Sequence, residues 1–527
     1  MTSETTEQGS KPAPPSLLRQ ISHYLGGQVA VMAAGLISMP VLARALGKER
    51  WGTASLVISM MVLLSAVSKG GLSQSAIRFA GRTEEGKEHE ERALQSSLIL
   101  TSLVSSLTLA LLLVAGWYWW NHGGGGAGLA GRALTLILGG KEAAPYMALA
   151  GVLLVVRTVT AILWALQRAE RRSGAFTVYN ILLRYGGLVC SIGAWYLFHT
   201  LTAYFTGILL AEGLVTVYYL VDWWRGHRLS MALFSPAMAW MALAYGLPMI
   251  GSEVSSVLVA YVDKFIIQSY RGVGAVGIYA AGYGIAEVLL IVLAFPIELA
   301  VTPHCFRLWE AEGEQRTAEF VSSATARYAI TIFPILALFA SSAHAVVRIM
   351  AGSQYTGAVT VLPWALAGIG LWCGFYPLVG MGYFIRKQTA AFTSILGLSV
   401  LFNVGLNWVL VPRYGYMGAA YATFLTYLAV LFMVGAGSAK RLRVHWQWTS
   451  MLRGLALSVG IAWGLYLVPI GQGIPATLLR VTVGAFLYTR VMAVADANAR
   501  WMLSTGARWL QERGIGTKWY HAVTGLG

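Results

Sequence analysis

Thr177, Asn180, Arg184, Gly187 and Ser191 recur three or four residues apart across a stretch that is otherwise apolar. On a helix they form one polar, small-residue stripe with a cation at its middle. A charge at the centre of a membrane span costs at least ~2.5–3.5 kcal/mol on insertion scales. Such a stripe belongs against other helices or a water-filled cavity, where the planar guanidinium fork of Arg184 meets an anion. The plainer use of the same residue is a structural arginine tied between helices. Arg157 shares a thinner stripe with Thr160, Trp164 and Gln167. Lys69 and Arg490 stand near the ends of apolar stretches, from which a long side chain also reaches water.

The acidic residues at comparable depth are Glu212, Glu253, Asp263, Glu287 and Glu298. Glu253 shares a face with Gly246, Ser256 and Ala260, and Glu287 follows Tyr279 and Tyr283 on one face. A buried carboxylate binds a proton or Na⁺, or pairs with an arginine. Arg184, Arg157 and Lys69 are therefore candidate anion-binding cations, and Glu253, Glu287 and Asp263 are candidate ion-coupling acids. No catalytic residue or metal site is expected. The chain has no G-x-x-x-x-G-K-[ST] phosphate loop, no H-E-x-x-H and no Cys/His cluster of zinc spacing. Its three cysteines, Cys190, Cys305 and Cys373, are scattered in or beside apolar segments and read as packing residues.

The elements that must position these side chains are set by composition. Of 527 residues, 57% are hydrophobic and only 11% are charged, against about 25% charged in a soluble chain. Apolar stretches near twenty residues recur from end to end, each long enough as a helix to cross a ~30 Å hydrocarbon core. They carry Gly, Pro and Tyr without strict alternation, which favours helices over barrel strands. About fourteen spans are expected. Residues 1–16 are polar and Pro-rich, with no cleavable signal peptide in view.

Lys and Arg set the expected orientation. With the N-terminus inside, the loops on that side hold 24 of the 38 Lys and Arg residues, against 10 outside. That bias predicts an even number of spans with both termini cytoplasmic. It also accounts for the net charge of +16 without a nucleic-acid partner. The expected loops include 82–92, charged and inside, and 121–145, outside and Gly-rich. The latter has almost no candidate acid, base or nucleophile, so transport is favoured over enzyme chemistry.

A repeat is faintly visible. "ALGKERWGTASLV" (45–57) and "QSYRGVGAVGIYAAGY" (268–283) each end a turn with a hydrophobic-Gly pair opening a helix, and the pairs at 51 and 276 lie 225 residues apart. "WYLFHTLTAYFTG" (195–207) and "WVLVPRYGYMGAA" (408–420) are offset by 213. An interval of about six spans places both copies in the same orientation, the parallel-repeat plan of some transporters. The expected organisation is a tail at 1–16, six-helix lobes at 17–222 and 223–437, two further transmembrane helices at 438–496, and a basic tail at 497–527. Pro412 and Gly415 would turn the chain tightly between two helices, with Arg413 solvated at the tip.

"AYVDKFIIQSYRGVGAVGIYAAGYGIAE" (260–287) resembles the seventh-to-eighth span signature of prokaryotic polysaccharide transporters. "FNVGLNWVLVPRYGYMGAAYATF" (402–424) is similar to their eleventh-to-twelfth span signature, and "LARALGKERWGTASLV" (42–57) resembles their first turn. These are Wzx-type flippases of the multidrug/oligosaccharidyl-lipid/polysaccharide superfamily. The resemblance implies two six-helix lobes and transfer of polyprenyl-pyrophosphate-linked oligosaccharide across the cytoplasmic (inner) membrane. It also implies membrane lipids and a polysaccharide polymerase and assembly machinery as partners. Basic residues in the central cavity are common in that family. The drive would be a H⁺ or Na⁺ gradient or the membrane potential, with no bound cofactor. Two alternatives stand beside it: a cation-coupled multidrug antiporter of the same superfamily, and a glycan polymerase or ligase, for which the large catalytic outside loop is missing.

Overall fold

The computed structural model describes residues 17–80, 88–119, 144–170, 172–227, 230–468, 471 and 473–511. The tail 1–16, most of the charged loop 82–92, nearly all of the outside loop 121–145 and residues 512–527 lie outside the described residues. Every long element is helical. The first helical run, Leu17–Ser68, is broken only at Gly47, giving α1 (17–46) and α2 (48–68). The short α3 (Leu72–Phe79) and then α4 (Glu88–Trp119), α5 (Met147–Ala169), α6 (Ser173–Phe198) and α7 (Leu201–His227) follow. A second run, Pro236–Ser341, is broken at Gly272 and Gly313 into α8 (236–271), α9 (273–312) and α10 (314–341). The chain continues through α11 (Ala343–Met350), α12 (358–379), α13 (Thr389–Tyr414), α14 (Tyr416–Ala439), α15 (Trp448–Leu467), α16 (Ile474–Ala495) and α17 (Ala497–Gln511).

Among the described residues, eleven helices are long and apolar enough to cross a membrane, or up to twelve if a bent pair is counted as one span. Taking each side of the three glycine breaks separately divides the same backbone into fourteen long segments, with α3, α11 and α17 outside the count. The protein is an all-α, multi-pass membrane protein.

The breaks have a physical cause. Gly47 (φ 74, ψ 167) and Gly272 (φ 75, ψ 174) share one left-handed backbone conformation, which costs a side-chain-bearing residue strain. They are 225 residues apart, the interval of the sequence repeat. Five residues beyond each break, Gly52 and Gly277 meet across the two copies. A Cβ on Gly52 would collide with the Val273 carbonyl, and one on Gly277 with the Lys48 carbonyl. Val273 is also 225 residues after Lys48. Position i thus contacts j′ while i′ contacts j, the mark of a local two-fold axis. At this Gly52 end, Tyr355 donates to the Ala43 carbonyl at 2.9 Å and Arg44 donates to the carbonyl of Ile349.

About twenty helical residues along α2, roughly 30 Å away, the same two halves touch again. Gly71 and Gly246 lie backbone against backbone, with no room for a Cβ on either. Ser75 donates to the Ala242 carbonyl at 2.6 Å beside them. The α13–α14 turn forms at Gly415 (φ 60), with Arg413 exposed at its tip. Gly418 packs its backbone on Leu410. Behind the turn, the buried Asn403 donates to Thr426 at 3.0 Å, and Asn407 donates to the Asn403 carbonyl at 2.9 Å.

Two cations expected in outside loops lie inside helices. Lys264, counted as an outside-loop cation, lies inside α8 and is 9% exposed. Nothing in the chain stops that helix before Gly272, so it runs eight residues past Asp263 and carries the lysine into the bundle. Arg480, also counted outside, is buried within α16.

Gly277→Ala is expected to lower the thermal unfolding midpoint of the purified protein by on the order of a few degrees, because its Cβ meets main chain. Gly274→Ala is the control, since its Cβ finds only the Glu49 side chain at 3.7 Å. Equal midpoints for the two variants in a melting assay would show that the Gly52–Gly277 contact yields freely.

Candidate functional site

Most of the ionisable side chains held within the helices lie between the Gly52–Gly277 and Gly71–Gly246 contacts. α5 and α7 run parallel in register. Arg157 meets Glu212, Thr160 meets Thr216 at 2.7 Å, and Tyr219 donates to the Leu163 carbonyl at 3.0 Å. The partners stay 55 or 56 residues apart along both helices. Arg157 binds Glu212 through Nε at 2.7 Å and Nη2 at 2.8 Å. This two-pronged geometry is the strongest an arginine and a carboxylate form. Its charge is therefore balanced within the wall.

Arg184 differs. It projects from the middle of α6, whose stripe residues Asn180, Gly187 and Ser191 are buried while Thr177 packs on Gly27 of α1. The Arg184 side chain is itself exposed. It is within electrostatic reach of Arg157 and Glu212 on one side and of Tyr261 of α8 on the other. Among the described residues it forms no hydrogen bond and no ion pair. Its guanidinium thus stands among ionisable groups of α5, α7 and α8.

The opposite wall is built from α8 and α9. Asp263 is fully buried. One of its oxygens accepts the Lys264 backbone N–H at 2.8 Å; the other accepts the Tyr279 hydroxyl and lies 3.4 Å from Thr423 Oγ1. Lys264 reaches Ser59 of α2 at 3.2 Å and sits 4.7 Å from the centre of the Tyr261 ring, a cation–π contact. Glu287, half-buried on α9, is within electrostatic reach of Lys264 and Tyr261 and makes no hydrogen bond among the described residues. The charged groups thus form a chain across the bundle, from Glu212 and Arg157 through Arg184 to Tyr261, Glu287, Lys264 and Asp263.

The remaining pair lies elsewhere. Lys69, beyond the end of α2, is ion-paired with Glu253 of α8. Both are partly accessible, at 18% and 31% of their side-chain surface. The bridge stands two residues from Gly71, at the end where the halves close on Gly71 and Gly246. The structure therefore brings Arg184, Arg157, Asp263 and Glu287 together and sets Lys69 and Glu253 apart as a tie between the halves. Glu212 and Lys264 are the participants that sequence periodicity does not single out. Glu212 has no extended polar stripe of its own, and Lys264 lies where an apolar run gives way to polar residues although the helix continues to 271. No group of three or more metal-ligating side chains occurs among the described residues.

The Gly52–Gly277 and Gly71–Gly246 contacts thus bracket a belt of charged side chains within a polytopic helical bundle. Residues 17–309 match the family model described as "Polysaccharide biosynthesis protein", which spans more than half of the chain. The chain belongs to that family. A curated relative, an uncharacterized membrane protein of Methanocaldococcus jannaschii, is 24% identical over 242 residues. That match covers 44% of this chain and 47% of the relative, so the chain spans about half the length of the curated relative it matches. Among solved structures, the lipid II flippase MurJ in an inward closed conformation superposes with a TM-score of 0.69 at 14% identity, covering 88% of this chain and 96% of the other. A multidrug resistance MATE family transporter of the MOP superfamily, inward-facing, gives 0.58 at 15% identity, covering 80% and 97%. At these identities the likeness is one of fold: the chain has the fold of MOP-superfamily transporters.

Removing one partner of a buried ion pair costs up to ~3–5 kcal/mol, and removing both costs far less. Glu212→Ala is thus expected to reduce folded yield in membranes, and adding Arg157→Met to restore most of it, as read by fluorescence-detected size exclusion. No recovery in the double variant would show that the pair's role is not charge balance. For the Lys69–Glu253 tie, Lys69→Ala and Glu253→Gln should alter transport alike, with the double variant no worse than either. A distinct loss of gradient dependence in Glu253→Gln alone would return Glu253 to ion coupling.

Proposed function

We propose that this protein carries a polyprenyl-pyrophosphate-linked oligosaccharide, the repeat unit of an O-antigen, capsule or exopolysaccharide, across the cytoplasmic membrane by alternating access. The observation that carries this reading is Arg184. It is an accessible in-span cation without a counter-ion among the described residues, placed between the halves of a chain from a polysaccharide biosynthesis family. A pyrophosphate and its sugars cannot enter hydrocarbon cheaply. A cationic, wet space replaces part of their hydration, while the polyprenyl tail stays in lipid. The fold neighbour MurJ is itself a lipid II flippase, which supports a lipid-linked cargo. An unpaired cation in this position argues against cationic drugs as cargo.

In this reading 17–222 and 223–437 are the two lobes, 438–496 adds two helices, and both termini face the cytoplasm with the Gly71 end on the cytoplasmic side. The lobes rock about the fixed mid-depth site. A proton or Na⁺ gradient, or the membrane potential, drives the cycle. Of the three candidate acids, Asp263 already accepts from Tyr279 and the Lys264 N–H, and Glu253 holds Lys69. Glu287 keeps free lone pairs at an accessible position and is the coupling acid we favour. A polysaccharide polymerase would take the flipped unit on the far side.

Transfer of a labelled lipid-linked oligosaccharide in proteoliposomes tests this reading. Arg184→Ala should abolish transport per folded molecule, and Arg184→Lys should keep part of it, because the charge survives while the bidentate fork is lost. Full specific activity in Arg184→Ala refutes the cavity role.

A further inference from the structure

Beyond the mid-depth residues, a cavity lies where the connector between α14 and α15 folds over the start of α10. It has a volume of about 710 Å³, within the ~300–1,000 Å³ range of small-molecule sites. Three separate segments contribute its charge: Arg386 beyond α12, Lys440 to His445 of the connector, and Glu314 and Glu319 of α10. The acids are already engaged. Glu314 accepts from Arg386 Nη2 at 2.9 Å, and Glu319 pairs with Arg316 at 3.3 Å.

Two of the cations are held in place by their surroundings. Arg386 also donates from Nε to the Arg441 carbonyl at 3.2 Å, and its guanidinium lies 4.7 Å from the Trp309 ring centre. Arg441 donates to Gln388 and to the Gly437 carbonyl, both at 2.6 Å, over the Tyr383 ring. The connector is pinned in turn by Ser322, which donates to the His445 carbonyl at 2.5 Å. Lys440 and Arg443 have no such partner. Both are exposed, and among the described residues neither side chain makes a hydrogen bond or ion pair. The cavity is therefore a rigid frame carrying two unneutralised cations.

We propose that this cavity is a second anion site, separate from Arg184, that takes a phosphate-bearing group through Lys440 and Arg443 with the free guanidinium edges of Arg386 and Arg441. Charge-assisted contacts from forked guanidinium groups suit phosphate oxygens. The connector begins where α14 ends at Ala439 and finishes where α15 begins at Trp448, with Trp446 between. That is headgroup depth, marked by interfacial tryptophans. Basic pockets between helices at this depth bind anionic lipid headgroups, and a soluble phosphate offers the same chemistry.

Native mass spectrometry of the full-length protein released from mixed phosphatidylglycerol and phosphatidylcholine nanodiscs supplies one arm. Titration with inorganic pyrophosphate at constant ionic strength supplies the other. The test variant is Lys440→Ala with Arg443→Ala; both side chains are exposed, so folding should be preserved. The control, Arg500→Ala with Arg508→Ala, removes the same charge from exposed positions on α17. Loss of two charge-assisted contacts should weaken retention about tenfold or more, and only in the test variant. Reduced phosphatidylglycerol retention assigns the site to lipid, and reduced pyrophosphate affinity assigns it to a soluble anion. The proposal is overturned if both arms leave the test variant equal to wild type, or equal to the control.

Discussion

The structure is organised by the cost of holding charge away from water. A lone ion at the depth of α5 to α9 is unfavourable by several kcal/mol, and each charge there is handled differently. Arg157 is cancelled by Glu212 in a two-pronged bond. Asp263 is surrounded by donors from its own helix, from α9 and from α14. Lys264 shares a hydroxyl from α2 and an aromatic face. Arg184 and Glu287 alone in this group carry no hydrogen bond or ion pair among the described residues, and Arg184 is the exposed one.

The bundle that supports this arrangement is held at its ends by bare backbone. Gly52 with Gly277 and Gly71 with Gly246 bring main chains together where any side chain would separate them. The first pair is reciprocal about a local two-fold axis, which follows directly from the matching conformations of Gly47 and Gly272. Two copies of one turn, inserted in the same direction, leave this face-to-face contact as the natural way to seal one end.

Much of this was legible in the order of residues. Long apolar runs in a chain with 11% charge dictate spanning helices, and the turn at Gly47 repeats at Gly272 with its local residues. Arg184 stood out because Thr177, Asn180, Gly187 and Ser191 share its helical face. What stayed hidden depends on contacts between distant segments. The register of α5 beside α7 matches Arg157 to Glu212, and no local pattern announces it. Lys264 was misplaced because apolarity alone does not mark a helix end that polar residues run through. The partner of Glu253 is not legible locally, because its cation comes from beyond the end of another helix, α2.

The two ends of the bundle are sealed by different physics. At the Gly52 end the halves meet through main chain and through hydrogen bonds from Tyr355 and Arg44 to carbonyls, with no ion pair among the described residues. At the Gly71 end, parting the halves must also separate Lys69 from Glu253 and rehydrate both. That cost is one of charge separation and rehydration, whereas the Gly52 end is held by packing and by hydrogen bonds to carbonyls. Neutralising either Lys69 or Glu253 would therefore loosen the Gly71 contact and leave the Gly52 contact as it is.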